Sequence, residues 1–85
     1  MTSGNTETYI LVVGMGLVGN TIARFFKKCG KKVIVTDSDP ARTREAEQLA
    51  ALGIQTGLGP HDPALFENAA LIVTSPGVPL DLPAL

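Results

Sequence analysis

A run of five β-prone apolar residues, Tyr9-Ile10-Leu11-Val12-Val13, leads straight into Gly14-Met15-Gly16-Leu17-Val18-Gly19. Apolar side chains without alternation suit a strand covered on both faces, as in a parallel sheet. After the glycines, Ile22, Phe25, Phe26 and Cys29 fall at i, i+3, i+4 and i+7, which predicts a helix from about Gly19 to Cys29. A strand, a G-x-G-x-x-G turn and a helix in that order constrain the chain more than any other feature. Gly14 permits the tight turn, Gly16 lets an anion approach the backbone, and Gly19 lets the helix pack closely on the strand. The helix start adds N–H groups without intrahelical partners and the positive end of a dipole, a ready diphosphate site.

The rest of the chain repeats the alternation. Gly30 stops the first helix, and Lys27 and Lys28 suit its negative end. Val33 to Thr36 is a second strand. Asp39-Pro40 reads as an N-cap with proline at N1, opening a helix that turns Ala46, Leu49 and Ala50 inward and ends at Gly53. Ile54 to Thr56 is a short third strand. Asp62-Pro63 repeats the cap for a brief helix through Phe66, and Ala70 to Thr74 is a fourth buried strand. Asp81 is placed to cap a further helix, but the sequence stops at Leu85.

This β-α-β-α-β-α-β order predicts an α/β fold: a Rossmann-like, doubly wound parallel sheet with strand order 3-2-1-4. Such a sheet ordinarily continues, so the chain reads as truncated before a fifth strand. Residues 1–8 are read as a flexible lead-in and residues 9–85 as the domain.

Composition narrows the classes. Seven Lys/Arg against eight Asp/Glu give a formal charge of −1, with 45% apolar residues in 85. That is one small globular domain rather than a disordered charged tail. No apolar run exceeds five residues, far short of the roughly 18 of a membrane span. One cysteine forms no internal disulfide, and Met1 to Thr8 lacks the apolar core of a signal peptide. The expectation is a cytoplasmic domain with no membrane partner. All seven basic residues lie between Arg24 and Arg44 and are read as a solvated face. Scarce aromatics and the charge disfavour nucleic acid.

Asp37 ends the second strand 18 residues beyond Gly19, near the position where an acid accepts hydrogen bonds from a ribose or base. A solvated loop aspartate is the competing reading. Asp37-Ser38-Asp39 contains no cation for a 2′-phosphate, which disfavours NADP. Ser75-Pro76-Gly77 follows the fourth strand, across the switch-point crevice where ligands of open α/β sheets bind. Gly77 there can present a bare backbone N–H, or serve only a turn. No G-x-x-x-x-G-K-[ST] occurs, His61 is read as a loop residue, and Cys29 as core. Neither a metal cluster nor a catalytic triad can be assembled from the sequence.

Ile10 to Gly19, Phe25-Phe26, Val33 to Asp37, Thr56-Gly57 and above all Leu71-Ile72-Val73-Thr74-Ser75-Pro76-Gly77-Val78-Pro79-Leu80 resemble the N-terminal domain of the Mur ligase family, in its D-glutamate-adding branch. The likeness runs from about Tyr9 to Leu85. It implies a domain that holds the UDP part of UDP-N-acetylmuramoyl-L-alanine for peptidoglycan synthesis. The backbone of Leu17 and Val18 would face the diphosphate, Asp37 and Ser38 the uridine, and Gly77 would close the site, with Gly14, Gly16, Gly19, Ser75 and Pro76 completing it. ATP and Mg²⁺ would bind later domains that this chain lacks, so the chain alone is expected to be inactive and to carry no cofactor of its own. Its partners would be the UDP precursor and those remaining domains. Two positions depart from the family pattern. Val18 stands where Ser or Thr is usual, and Asp39 where an arginine can lie against the nucleotide. A different class, the NAD-binding regulatory module of potassium transport, shares the glycine loop and strand-2 acid but has no need of Ser75-Pro76-Gly77-Val78-Pro79. A third reading is a scaffold that has lost its ligand.

Overall fold

The structure, a computed structural model, describes residues 8–75. The expected lead-in up to Glu7, Pro76, Gly77 and the cap at Asp81 lie outside the described residues. The elements are β1 (Ile10–Val13), α1 (Leu17–Lys28), β2 (Val33–Asp37), α2 (Thr43–Ala51), β3 (Gln55–Leu58), α3 (Pro63–Glu67) and β4 (Leu71–Thr74). The four strands form one parallel sheet in the order β3-β2-β1-β4. Ile10 sits opposite Val33 on one side and Leu71 on the other. β1 is therefore central, which is why its residues are apolar on both faces.

Alternation along β1 divides the core in two. Ile10 and Val12 join Val33 and Val35 of β2 against Ala23 of α1 and Ala46 and Leu49 of α2. Tyr9, Leu11 and Val13 join Ile34 against Phe66 of α3. The Tyr9 hydroxyl, on the α3 side, donates to the carbonyl of Leu65 at 2.7 Å. Asp62 caps α3 as its sequence predicts, accepting from the N–H of Ala64 with Pro63 in the first turn.

Sequence expectations for α1, α2, β4 and β3 are corrected. α1 begins at Leu17 and turns Gly19 and Ala23 inward, with Ile22 and Phe26 partly buried. Phe25 and Cys29 are exposed. Close packing of Gly19 sets the phase of this helix, and at about 100° per residue Phe25 then lies roughly 120° away. Its ring rests edge-on against Phe26 instead. The helix still ends where expected: Lys31 N–H donates to Phe26 O and Gly30 N–H to Lys27 O, a Schellman motif around Gly30.

α2 starts at Thr43, with Arg42 in the N-cap position. Asp39 caps a preceding turn rather than the helix: its Oδ1 accepts from Ala41 N–H, and its carbonyl from Arg42 N–H. Ala50 is exposed, so the inward stripe of this short helix is Ala46 and Leu49. β4 was expected to be buried, but Leu71 and Ile72 are exposed. It stands at the end of the described sheet, with β1 as its partner among the described strands. β3 is shifted too, opening at Gln55 after the buried Ile54.

Candidate functional site

The glycine loop is built from β1 outward. Gly14 adopts φ +110°, a backbone open to glycine and strained for other residues. Its N–H donates to the Thr36 carbonyl at 2.7 Å, extending the β1–β2 ladder by one bond. Met15 then drops its side chain fully into the core, while its N–H donates to Asp37 Oδ2 at 2.8 Å. At Gly19 an added Cβ would fall 1.9 Å from the Gly14 carbonyl oxygen. The atom it meets is backbone, so nothing can swing aside. Gly14 and Gly19 are thus demanded by the fold.

Gly16 is different. It is the N-cap of α1, in extended backbone at φ −66° and ψ −173°, with no side-chain cap bond. A Cβ placed on it would meet nothing within 4 Å. Any residue could adopt this conformation, and Ser, Asp or Asn would cap the helix at least as well. The open space beyond Gly16 is where a ligand would approach the backbone. Leu17 and Val18 follow, 85% and 45% exposed, and as the first residues of α1 their N–H groups have no intrahelical partner.

Asp37 does more than end β2. Oδ1 accepts from Asp39 N–H at 2.9 Å, and Oδ2 accepts from Met15 while facing Arg42 Nε at 3.6 Å. One carboxylate therefore joins the glycine loop, the loop after β2 and the start of α2. A carboxylate has about four acceptor positions, so capacity for a ligand remains. Ser38 and Asp39 are exposed beside it. The Asp39 carboxylate is turned to Ala41 N–H and so is engaged in its own turn.

Ser75 lies behind the loop. It is buried, and both its N–H and its hydroxyl donate to the Val13 carbonyl, at 3.0 and 3.2 Å. Pro76 and Gly77, expected across the crevice, are outside the described residues. His61 is half-buried and packs edge-on against Phe66, 5.6 Å between ring centres, in keeping with a loop residue.

An open cleft of about 490 Å³ runs between the start of α1 and α2, lined by Gly16, Leu17, Asn20, Arg24, Arg42 and Glu45 among others. Two of the basic residues read from the sequence as a solvated face therefore line this cleft. Arg42 was the missed member. The signal was the Asp37-x-Asp39 pattern, whose carboxylates hold a turn that delays α2 and brings Arg42 opposite Asp37.

The family described as Mur ligase MurD-like, N-terminal domain, matches residues 8–85. The chain belongs to that family. UDP-N-acetylmuramoylalanine--D-glutamate ligase of Bdellovibrio bacteriovorus is 45% identical over 75 residues, 86% of this chain and 16% of the relative. The enzymes of the same name from Syntrophotalea carbinolica and Chromobacterium violaceum are 42% and 41% identical, over 89% and 91% of this chain and 17% of each relative. This MurD-like domain thus spans about a sixth of the length of those relatives. Within the described residues, no helix is long and apolar enough to cross a membrane.

Proposed function

We propose that this chain is the UDP-binding N-terminal part of a cytoplasmic UDP-N-acetylmuramoylalanine--D-glutamate ligase, holding UDP-N-acetylmuramoyl-L-alanine by its nucleotide during peptidoglycan synthesis. The observation that carries the reading is Gly16. The fold accounts for Gly14 and Gly19, but at Gly16 neither backbone angle nor packing excludes a side chain. A diphosphate resting on the N–H groups of Leu17 and Val18 supplies the missing reason. The uridine would then reach toward Asp37 and Ser38.

The sequence has no Gly-rich Lys-Ser/Thr loop, so ATP and Mg²⁺ are assigned to the remaining domains of a full-length ligase. There the precursor's carboxylate would be phosphorylated, and the amine of D-glutamate would attack the acyl phosphate and release inorganic phosphate. This part positions the substrate and takes no part in the transfer.

Titration of UDP into ¹⁵N-labelled protein tests the reading. The amide signals of Leu17, Ser38 and Gly77 are expected to shift together, with weaker effects from UMP and little from NAD. Without contacts from other domains the dissociation constant should approach about 1 mM, or about −4 kcal/mol. Saturation by NAD at micromolar levels, with Gly77 unmoved by UDP, would favour a NAD-sensing module instead.

A further inference from the structure

We propose that Arg42 is the cation that grips the phosphates of a nucleoside diphosphate at the glycine loop, and that Glu45 holds it in reserve when the cleft is free. This rests on the nucleotide reading above and names the residue that gives it selectivity for phosphate.

Arg42 lines the same cleft as Gly16 and Leu17. Its side chain is 39% exposed, and its partners are at 3.6 Å (Asp37 Oδ2) and 3.3 Å (Glu45 Oε2). Both distances exceed the roughly 2.7–2.9 Å of a strong charge-assisted hydrogen bond. A guanidinium carries five N–H donors in a planar fork suited to two phosphate oxygens. These two loose contacts leave most of that capacity uncommitted. Glu45 sits at i+3 on a half-exposed face, a pairing of small worth that an incoming polyanion can displace.

The position of Arg42 is also tied to the loop. Asp37 Oδ2, which faces its Nε, accepts from Met15 N–H at the same time. The carboxylate that shapes the glycine turn therefore places the guanidinium beside it. Arg24 lines the same cleft, but it lies seven residues along α1 from Leu17, about 10 Å at 1.5 Å per residue, and its Nε already donates to Asn20. Of the two, Arg42 is the one held at the mouth of the loop.

The test measures UDP and uridine affinity of the chain and of Arg42→Gln and Glu45→Gln, each checked for folding by its amide spectrum. Arg42→Gln is expected to weaken UDP by on the order of tenfold or more and to leave uridine unchanged, because only the phosphates are addressed. Glu45→Gln is expected to strengthen UDP, by roughly two- to fivefold, because it removes both the competing partner and a repelling charge. A scaffold role for the pair would give losses in both variants and would overturn the proposal, as would Arg42→Gln binding UDP like the parent. If the parent binds UDP and Arg42→Gln does so equally, the role of Arg42 alone fails. A parent that binds neither UDP nor uridine overturns the nucleotide reading and this inference with it.

Discussion

The backbone N–H of Met15 donates to Asp37 Oδ2 at 2.8 Å, across 22 positions of sequence. The bond joins the glycine turn to the end of β2, and its acceptor also faces Arg42. Asp37 thereby organises the loop. Removing it should loosen the site before it affects any contact with nucleotide.

Asp37→Ala should lower stability by about 1–3 kcal/mol, since Met15 N–H loses a charged acceptor beside a buried side chain. Urea denaturation measures this. Asp37→Asn, which keeps one acceptor oxygen, should lose less. Equal stability of Asp37→Ala and the parent would show that the loop stands without this bond.

Gly16 and Gly19 should separate in their response to substitution. Gly19→Ala drives a Cβ into the Gly14 carbonyl and should destabilise at or beyond the top of the roughly 1–3 kcal/mol range of overpacking. Gly16→Ser should fold as well as the parent, within about 0.5 kcal/mol, because serine is a good N-cap. Its side chain would nonetheless occupy the space proposed for the diphosphate, so UDP binding should fall. Unchanged UDP affinity in Gly16→Ser would remove the chief support for the nucleotide reading.

Val18 is nearly half-exposed on the first turn of α1. With a diphosphate above that turn, Val18→Thr places a hydroxyl donor beside it and should tighten UDP by about 0.5–1.5 kcal/mol. Calorimetry on the two proteins measures the difference. No gain would mean that this side chain points away from the ligand.

Supplied with ATP, D-glutamate and UDP-N-acetylmuramoyl-L-alanine, the 85-residue chain should release no phosphate above background. A colourimetric phosphate assay decides it, and steady turnover would contradict a part that only binds.

Much of this protein is determined locally. The unbroken apolar run of β1, the glycines after it, the Asp62-Pro63 cap and the stop at Gly30 each act through neighbours a few residues away. Their β-α alternation then leaves few chain paths, since parallel strands need right-handed crossovers. The order 3-2-1-4 is one of the few that such rules allow, and the family resemblance was legible in the same residues.

The tertiary structure decided whatever depends on groups distant in sequence. Helix periodicity alone favours Phe25 and Cys29 as core, yet the contact of Gly19 with Gly14 rotates α1 and leaves both outside. Asp39-Pro40 has the composition of a helix start, but the carboxylates of Asp37 and Asp39 hold a turn there and α2 begins at Thr43. That delay carries Arg42 to the cleft. β4 looks buried by its side chains, whereas their exposure depends on what packs against the two faces of the strand. A sequence states which groups can pair within one turn or strand. Which of them meet across the sheet is settled only when the whole chain has packed.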